Sequence, residues 1–261
     1  MAYRYIRLER QGPVAVLTMD NPATANAMDE DLGPELVAAL EGLALDRQAR
    51  AVVLTGAGPI FSGGGNIVKA QQYLEDHPGS GASPVFEGYT KWVSRAVIAL
   101  TSMPQPVVAA VGGAASGAGL AWILACDLAV AVPGARLVPG FLAVGLVPAA
   151  GTTLGLGRLV GLARASEMLM LNRVLSASQA LALGLLHRVV EPDELMPVAL
   201  ELAGRLAQGP RQALAASKAL LNRAGRAGLP GQLEDERRAV MMAADQPDFA
   251  HLAGRFVRKE P

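Results

Sequence analysis

Hydrophobic and polar residues follow one another along the chain in patterns that predict a mixed α/β structure. The alternation at residues 5–8 and 14–19, on either side of Gln11-Gly12-Pro13, predicts a β-hairpin. Apolar residues recur at helical spacing from 28 to 45, which predicts an amphipathic helix. The unbroken apolar run at 51–55 predicts a buried strand.

Two stretches share one order of elements: a β-type run, a glycine-rich turn and then a helix. The first joins the strand at 51–55 to the turn FSGGGNI at 61–67, and the second occupies residues 107–128. Backbone N–H groups at the start of a helix point outward without a partner and favour negative charge. Two such turns can direct two N–H groups at one oxygen atom, so together they predict an oxyanion hole.

The rest of the pattern predicts further stacked units and then a helical second part. Strand-like runs around Val53, Val108 and Val130 recur, which predicts strand–strand–helix units that stack in one direction. A polar, glycine-containing loop is expected at 75–88, and a helix at 91–101. Beyond residue 161 the spacing of apolar residues predicts helices at 163–171, 176–183, 194–208, 210–224 and 233–256.

Composition narrows the class of protein. The chain has 261 residues, of which 51% are hydrophobic, and its 23 Lys and Arg balance 23 Asp and Glu. This neutrality argues against nucleic acid as a partner. A single cysteine, Cys126, and an N-terminus without a signal-peptide pattern favour the cytoplasm. The apolar run 96–126 contains Pro104 and Pro106 as well as four glycines, so we expect a buried strand–turn–helix and no membrane span.

Familiar catalytic signatures are absent from the sequence. There is no P-loop, and Ser116 lacks the two flanking glycines of a nucleophile elbow. His77, His187 and His251 lie far apart and do not have the spacing of metal ligands. We therefore expect no metal site.

The two glycine turns, taken with the segments around them, resemble the crotonase superfamily of enoyl-CoA hydratases and isomerases. FSGGGNI resembles the first oxyanion motif of that family, and VGGAASGAGLAWILACDL resembles the second. NPATANAM resembles the loop that holds the adenine of coenzyme A. The segments ARLVPGFLAVGLVPAAGTT, LSASQALALGLLHRVV and GPRQALAASKALLN match the remaining parts, so the resemblance covers nearly the whole chain.

The resemblance implies a fold, an assembly and a ligand. The fold is a spiral of strand–strand–helix units over residues 1–195, followed by a helical trimerisation region over 196–261. The assembly is a homotrimer or a dimer of trimers. The ligand is an acyl-CoA thioester, with coenzyme A as part of the substrate and no separate cofactor.

The resemblance also implies the residues of the site. The backbone N–H groups of Gly65 and Ala118 correspond to the oxyanion donors that hold the thioester oxygen while an enolate forms. The implied substrate-binding residues are Ala23, Ala25, Gly63, Asn66, Ile67, Ala114, Gly117, Ala121, Phe141 and Ala149.

The chain departs from the family at the positions of the acid–base groups. The two hydratase glutamates correspond to Ala121 and Phe141, and the carboxylate of the isomerases corresponds to Ala149. General acid–base groups each contribute about 10²–10⁴-fold to rate, so hydration by the two-glutamate mechanism is disfavoured. The basic residue of the coenzyme A loop corresponds to Ala23, so we expect a Lys or Arg elsewhere, for example Lys218 or one in the tail 255–259, to bind the nucleotide phosphates.

Three functions remain open. The first is an isomerase, decarboxylase or hydrolase that uses a bound water or a side chain of the variable loop, with Tyr73 and His77 as candidates. The second is a weak hydratase whose water is activated by other groups. The third is a non-catalytic acyl-CoA binding protein that keeps the hole for recognition. Asp127 is expected to be structural, and Asn66 to cap a helix.

Overall fold

The apolar runs form ten strands, and helices connect them, in a computed structural model that describes residues 3–260. Strands β1 to β10 are, in order, Ile6–Gln11, Val14–Met19, Ala51–Gly56, Ile60–Ser62, Val107–Val111, Ala114–Ser116, Leu128–Ala131, Arg136–Val138, Leu175–Ser176 and Arg188–Val189. Helices α1 to α11 are Leu32–Leu45, Ile67–Asp76, Ser83–Ser102, Ala118–Ala125, Thr152–Leu159, Leu162–Met170, Ala177–Ala182, Leu195–Gln208, Arg211–Gly225, Leu229–Ala244 and Pro247–Arg258. Short 3-10 turns occupy Pro22–Thr24 and Leu142–Val144.

The strands are arranged in two sheets that share a repeating unit. The larger sheet has the order β1-β2-β3-β5-β7-β10, and the smaller has the order β4-β6-β8-β9. The pairs β3–β4, β5–β6 and β7–β8 each give one strand to each sheet before the chain enters a helix. The three units therefore stack in one direction, and the predicted spiral of strand–strand–helix units is confirmed.

The core of the molecule lies where β5 and α4 are enclosed on all sides. Every residue of both elements is buried, which agrees with their uninterrupted apolar sequence. Trp122 and Phe61 are fully buried and belong to the same cluster as the large sheet. This packing fixes the start of α4, and that start is one wall of the site described below.

Helix α8 begins at residue 195 and packs on β2, β3, β5 and β7 of the large sheet. Its buried face carries Leu195, Ala199 and Ala203. The assignment of residues 196–261 to a trimerisation region stays a prediction, because only one copy of the chain is described.

The expected loop at 75–88 is wrong in its second half, because α3 begins at Ser83. The backbone N–H of Ser83 donates to Oδ1 of Asp245 at 2.9 Å, so a distant carboxylate caps this helix. Pro84 occupies one of its first positions, where a missing N–H costs nothing. The local sequence shows neither this cap nor the start of the helix at Ser83, because Asp245 is far away in the chain.

The single helix expected at 233–256 is wrong as well, because α10 ends at Ala244 and α11 begins at Pro247. Proline favours the first turn of a helix and disrupts the interior of one, so Pro247 separates the two. Helix α5, at Thr152–Leu159, was not predicted. No helix among residues 3–260 is sufficiently long and apolar to span a lipid bilayer.

Lys218 belongs to the buried framework, although the sequence offered it as a phosphate ligand. Its Nζ donates to Oδ2 of Asp127 at 2.7 Å and to the carbonyl of Gln105 at 2.9 Å, and the residue is only 6% exposed. Oδ2 of Asp127 also accepts the N–H of Val107 at 2.7 Å. The pair therefore fastens α9 to the first residue of β5.

We predict that Lys218→Met lowers the free energy of unfolding by about 2–3 kcal/mol, because it leaves the partly buried Asp127 carboxylate without its counter-charge. Urea denaturation of both proteins measures the change. The matched control is Lys91→Met, since Lys91 is exposed on a helix, and it should change stability by less than about 0.5 kcal/mol. Equal effects of the two substitutions would contradict a structural role for Lys218.

Candidate functional site

The first glycine turn is held by Met28, a residue expected to begin a helix. The N–H of Met28 donates to the carbonyl of Gly64 at 2.6 Å, and its carbonyl accepts the N–H of Asn66 at 2.9 Å. Met28 thus forms a parallel bridge to Gly65 through Gly64 and Asn66, the two neighbours of Gly65. In such a bridge the N–H of the middle residue points away from the partner. Accordingly, the N–H of Gly65 has no acceptor among residues 3–260.

The second turn places Ala118 at the first position of α4. Gly117 precedes it with φ +50° and ψ −110°, and the N–H of Gly117 donates to the carbonyls of Val138 and Pro139 at 3.0 and 3.1 Å. The first N–H groups of a helix have no partner within the helix and lie at its positive end. The N–H of Ala118 is one of these and has no acceptor in the described part of the chain.

The two turns are in direct contact at Gly64. Its φ is +89°, and a Cβ built there would lie 2.7 Å from the carbonyl oxygen of Ser116 and 3.5 Å from the backbone nitrogen of Ala118. A side chain at residue 64 would therefore force the turns apart. Beside this contact, Gly65 and Ala118 both line one cavity.

A buried polar cluster fixes the first turn from behind. Oδ1 of Asn66 accepts the N–H of Lys69, so Asn66 caps α2, and its Nδ2 donates to Oδ2 of Asp29 at 2.9 Å. Asp29 is fully buried, and its Oδ1 accepts the N–H groups of Asp31 and Leu32 at 3.0 Å. Burial opposes ionisation of Asp29, but these hydrogen bonds and Lys69 together hold its pKa below the usual value.

Gly65 and Ala118 border a cavity of about 190 Å³. Its wall is mostly apolar and comes from both glycine turns, from α3, from the segment 138–150 and from the C-terminal helices. The lining side chains include Ile67, Phe86, Tyr89, Val93, Ser116, Phe141, Val144, Leu146, Asn172, Leu233, Arg237, Val240 and Phe256. No Asp, Glu or His from the described residues lines this cavity.

The structure brings most of the implied site residues to this cavity. Those that line it are Gly63, Gly65, Ile67, Gly117, Ala118, Phe141 and Ala149. Asn66 is buried just behind it and acts as a helix cap. Ala25 lies beside the rim, since its carbonyl accepts the N–H of Gly63 at 2.8 Å, and Ala23 is exposed on the same loop. Ala114 begins β6 and does not line the cavity.

Ala121 lies away from the cavity. It is 2% exposed within α4 and borders a separate space of about 20 Å³ beside Ala150 and Gly151. Of the two positions that the resemblance assigns to hydratase glutamates, only Phe141 therefore lines the cavity beside the two glycine turns. Tyr73 and His77, the loop candidates for acid–base chemistry, stack on each other with ring centroids 4.3 Å apart and do not line the cavity.

Tyr89 lines the cavity, although the sequence reasoning favoured Tyr73 and His77 over it among the side chains of the variable loop. Its ring lies near Gly65, and its hydroxyl donates to the carbonyl of Asn66 at 3.4 Å. Burial, followed by the negative charges of Glu30 and Asp29, raises the pKa of this phenol well above its usual value. Tyr89 is therefore protonated at neutral pH.

Glu236 supports the far wall of the cavity. Its carboxylate accepts hydrogen bonds from the N–H of Gly151, at 2.6 Å, and from the hydroxyl of Thr153. Glu236 therefore caps α5 from the neighbouring helix α10. Burial raises the pKa of Glu236, while these hydrogen bonds act in the opposite direction. The preceding residues Ala149 and Ala150 line the cavity, and their position depends on this cap.

Comparison with known proteins gives one consistent family. Residues 9–261 match the family model described as enoyl-CoA hydratase/isomerase. A probable enoyl-CoA hydratase of Rhodobacter capsulatus is 35% identical over 264 residues, which cover 100% of this chain and 98% of the relative. The 1,2-epoxyphenylacetyl-CoA isomerase of Escherichia coli is 32% identical, covering 94% and 92% of the two chains. The crystal structure of an enoyl-CoA hydratase from Mycobacterium avium subsp. paratuberculosis K-10 superposes with a TM-score of 0.88 at 28% identity, covering 99% and 98%.

We predict that Gly64→Ala destabilises the protein, whereas Gly63→Ala leaves it nearly unchanged. The first places a side chain at φ +89° and 2.7 Å from the Ser116 carbonyl, and the second meets nothing nearer than 3.5 Å. The left-handed backbone alone costs about 1–2 kcal/mol, and the clash adds to it. Thermal unfolding of both variants measures the difference, and equal melting temperatures would contradict the close contact of the turns.

Proposed function

Because the chain belongs to the enoyl-CoA hydratase/isomerase family, we propose that it binds an acyl-CoA thioester and stabilises its enolate through the backbone N–H groups of Gly65 and Ala118. In an enolate the negative charge lies largely on the former carbonyl oxygen. Two preorganised donors in a water-poor cavity stabilise that charge more than the neutral carbonyl.

One observation carries this proposal: two backbone N–H groups without acceptors among residues 3–260 border one cavity at the contact of two turns. Donors of this kind, one at a turn and one at a helix start, bond well to an oxygen that a ligand brings into the cavity. Met28 holds the backbone on either side of Gly65, and the carbonyl of Pro139 accepts the N–H of Gly117, the residue before Ala118. The donors therefore need little rearrangement when a carbonyl enters.

The surrounding cavity supports an apolar acyl group beside the hole. Phe86, Phe141, Val144 and Leu146 supply much of its wall. The coenzyme A moiety would extend out of the cavity past the rim formed by Gly63 and the loop of Ala23 and Ala25. In this proposal coenzyme A is part of the ligand, and no other cofactor takes part.

The side chains of the cavity support binding and enolate stabilisation better than hydration. Addition of water by paired carboxylates needs a general base, and no Asp, Glu or His of the described residues lines the cavity. Tyr89, whose pKa is raised, does not remove a proton from a substrate at neutral pH, so an enolate would form here by loss of another group from the α-carbon, as in decarboxylation, and not by deprotonation. The same observation favours a second candidate function, a non-catalytic acyl-CoA binding protein that uses the hole for recognition.

The proposal includes self-association into a homotrimer or a dimer of trimers, as the family resemblance implies. Helices α6 and α9 leave large apolar side chains exposed in the single copy, among them Leu162, Met170, Leu220 and Leu221. Apolar surface of this kind is typical of a face that a second copy covers.

We predict that Ala118→Pro weakens recognition of the thioester carbonyl. Proline is tolerated at the first position of a helix but has no N–H, so the substitution removes one donor and keeps α4. Calorimetry would compare butyryl-CoA with S-butyl-CoA, a thioether that lacks the carbonyl. The wild type should bind butyryl-CoA about tenfold more tightly, and the Pro variant should lose most of this difference.

Ala118→Gly is the matched control, because it keeps the N–H and removes only a methyl group. It should retain the preference of the wild type for butyryl-CoA. Equal affinity of the wild-type protein for the thioester and the thioether would contradict the proposed hole, and circular dichroism of the Pro variant checks that the fold is kept.

We predict that the wild-type protein hydrates crotonyl-CoA at least about 100-fold more slowly than a family hydratase that carries both glutamates, assayed side by side, since each missing group contributes about 10²–10⁴-fold. Loss of absorbance of the conjugated thioester measures the rate. If the rates are similar, an acid–base group outside the present account must act in this cavity.

A further inference from the structure

One part of the cavity wall carries polar side chains with uncommitted hydrogen-bonding groups. Ser116 and Asn172 both line the cavity and lie on either side of Gly140. We call these two side chains the Ser116–Asn172 corner. They come from the end of β6 and from the turn after α6, which are 56 residues apart in the sequence (172 − 116), so no local motif joins them.

The side chain of Asn172 is fixed with its acceptor occupied and its donor free. Oδ1 accepts the N–H of Gly140 at 2.8 Å, and the backbone of Asn172 has φ +49°, a conformation that asparagine tolerates. The other half of the amide, Nδ2, has no hydrogen-bond acceptor among residues 3–260. Because Oδ1 is held by the Gly140 N–H, the orientation of this amide is determined, and its Nδ2 is the group left free to donate.

Ser116 supplies a second uncommitted group at the same place. A Cβ built on Gly140 would lie 2.5 Å from its Oγ, so the hydroxyl lies directly against Gly140. This Oγ has no hydrogen-bond partner within the described part of the chain, whereas the hydroxyl of Thr90, which also lines the cavity, donates to the carbonyl of Phe86 at 2.7 Å.

The corner lies close to the proposed oxyanion hole. Ser116 is two residues before Ala118, and its carbonyl is the atom that a Cβ on Gly64 would meet at 2.7 Å. Gly117, which joins the corner to the hole, bonds to the carbonyls of Val138 and Pro139 just before Gly140. Because Ser116 and Ala118 line the same cavity, an acyl chain whose carbonyl is held by Gly65 and Ala118 would extend along the wall that carries the corner.

The charge of the cavity indicates that the group held there is uncharged. Arg237 is the one charged side chain that lines the cavity from the described residues. Its Nε and Nη2 donate to the two oxygens of Glu234 at 2.8 and 2.9 Å, a carboxylate that also accepts from Nε of Arg238 at 2.9 Å, so this guanidinium is already engaged in an ion pair. A carboxylate on the acyl chain would lose its hydration without gaining a free cation.

We propose that the Ser116–Asn172 corner recognises an uncharged oxygen, a keto or hydroxyl group, on the third or fourth carbon of the acyl chain. The inference rests on the proposed function, because it takes the thioester to be held by Gly65 and Ala118. A purely alkyl chain would leave the Asn172 amide and the Ser116 hydroxyl unpaired when it displaces water. Sites that bury unpaired donors discriminate strongly against ligands without the matching oxygen.

The test compares four acyl-CoA ligands of matched chain length by calorimetry. Butyryl-CoA is the alkyl reference, acetoacetyl-CoA carries an oxygen on the third carbon, 4-hydroxybutyryl-CoA carries one on the fourth, and succinyl-CoA carries a carboxylate there. We expect one of the two uncharged oxygen-bearing ligands to bind about threefold to tenfold more tightly than butyryl-CoA. Succinyl-CoA should bind more weakly than that ligand.

Two substitutions at Asn172 separate recognition from support of the fold. Asn172→Asp keeps an oxygen to accept the Gly140 N–H but replaces the donor NH₂ by an oxygen. Asn172→Gly keeps the left-handed backbone and removes the whole amide. Both variants should lose most of the preference for the oxygen-bearing ligand, and Ser116→Ala should lose part of it. Thermal unfolding of each variant verifies that it is folded.

The possible outcomes decide between the proposals. If the wild type binds butyryl-CoA and the uncharged oxygen-bearing ligands equally, the corner does not recognise oxygen and the inference fails, while the proposed function stands. If succinyl-CoA binds most tightly, the corner with Arg237 selects a carboxylate, and the inference of an uncharged group is wrong. If only Asn172→Gly loses the preference, Asn172 acts by supporting Gly140. If no acyl-CoA binds at all, the proposed function itself fails.

Discussion

The site depends on the close approach of two backbone turns at Gly64. Because residue 64 has no side chain, the turn before α2 reaches the carbonyl of Ser116 and the start of α4. The bridge from Met28 to both neighbours of Gly65 then fixes the direction of the Gly65 N–H. Burial of the whole of α4 in the core fixes the other donor. Two rigid elements therefore meet at a point where neither backbone can satisfy its own N–H groups.

This arrangement separates two functions that are usually combined in one site. In the proposed function the backbone supplies charge stabilisation, which survives changes in side chains, whereas proton transfer depends on particular residues. Here Phe141 and Ala149 present apolar groups to the cavity, and Ala121 lies outside it. Tyr89 and the Ser116–Asn172 corner are the polar contributions near the hole. Their chemistry is that of hydrogen-bond and proton donors, which agrees with a ligand that carries oxygen atoms and with enolate stabilisation.

The sequence predicted those parts of the site that are formed by consecutive residues. Both turns were recognised because glycine at the start of a helix leaves a visible local pattern, and the spiral was recognised because its unit recurs. The three-residue strands β4 and β6 were read as parts of turns, since so short a strand is stable only within a sheet. Asn172, Arg237 and Glu236 were missed because their roles depend on residues far away in the chain. The capping of α3 by Asp245 was missed for the same reason.

In the proposed complex, the N–H groups of Gly65 and Ala118 bond to the oxygen of the thioester. The most direct measurement is the infrared spectrum of bound butyryl-CoA that carries ¹³C at the thioester carbonyl. Two hydrogen bonds polarise a carbonyl and weaken its double bond, so the account predicts a band at lower wavenumber than in free ligand, with most of this shift lost in Ala118→Pro. A bound ligand whose carbonyl band stays at the position found in water, or shifts equally in both proteins, would contradict the account.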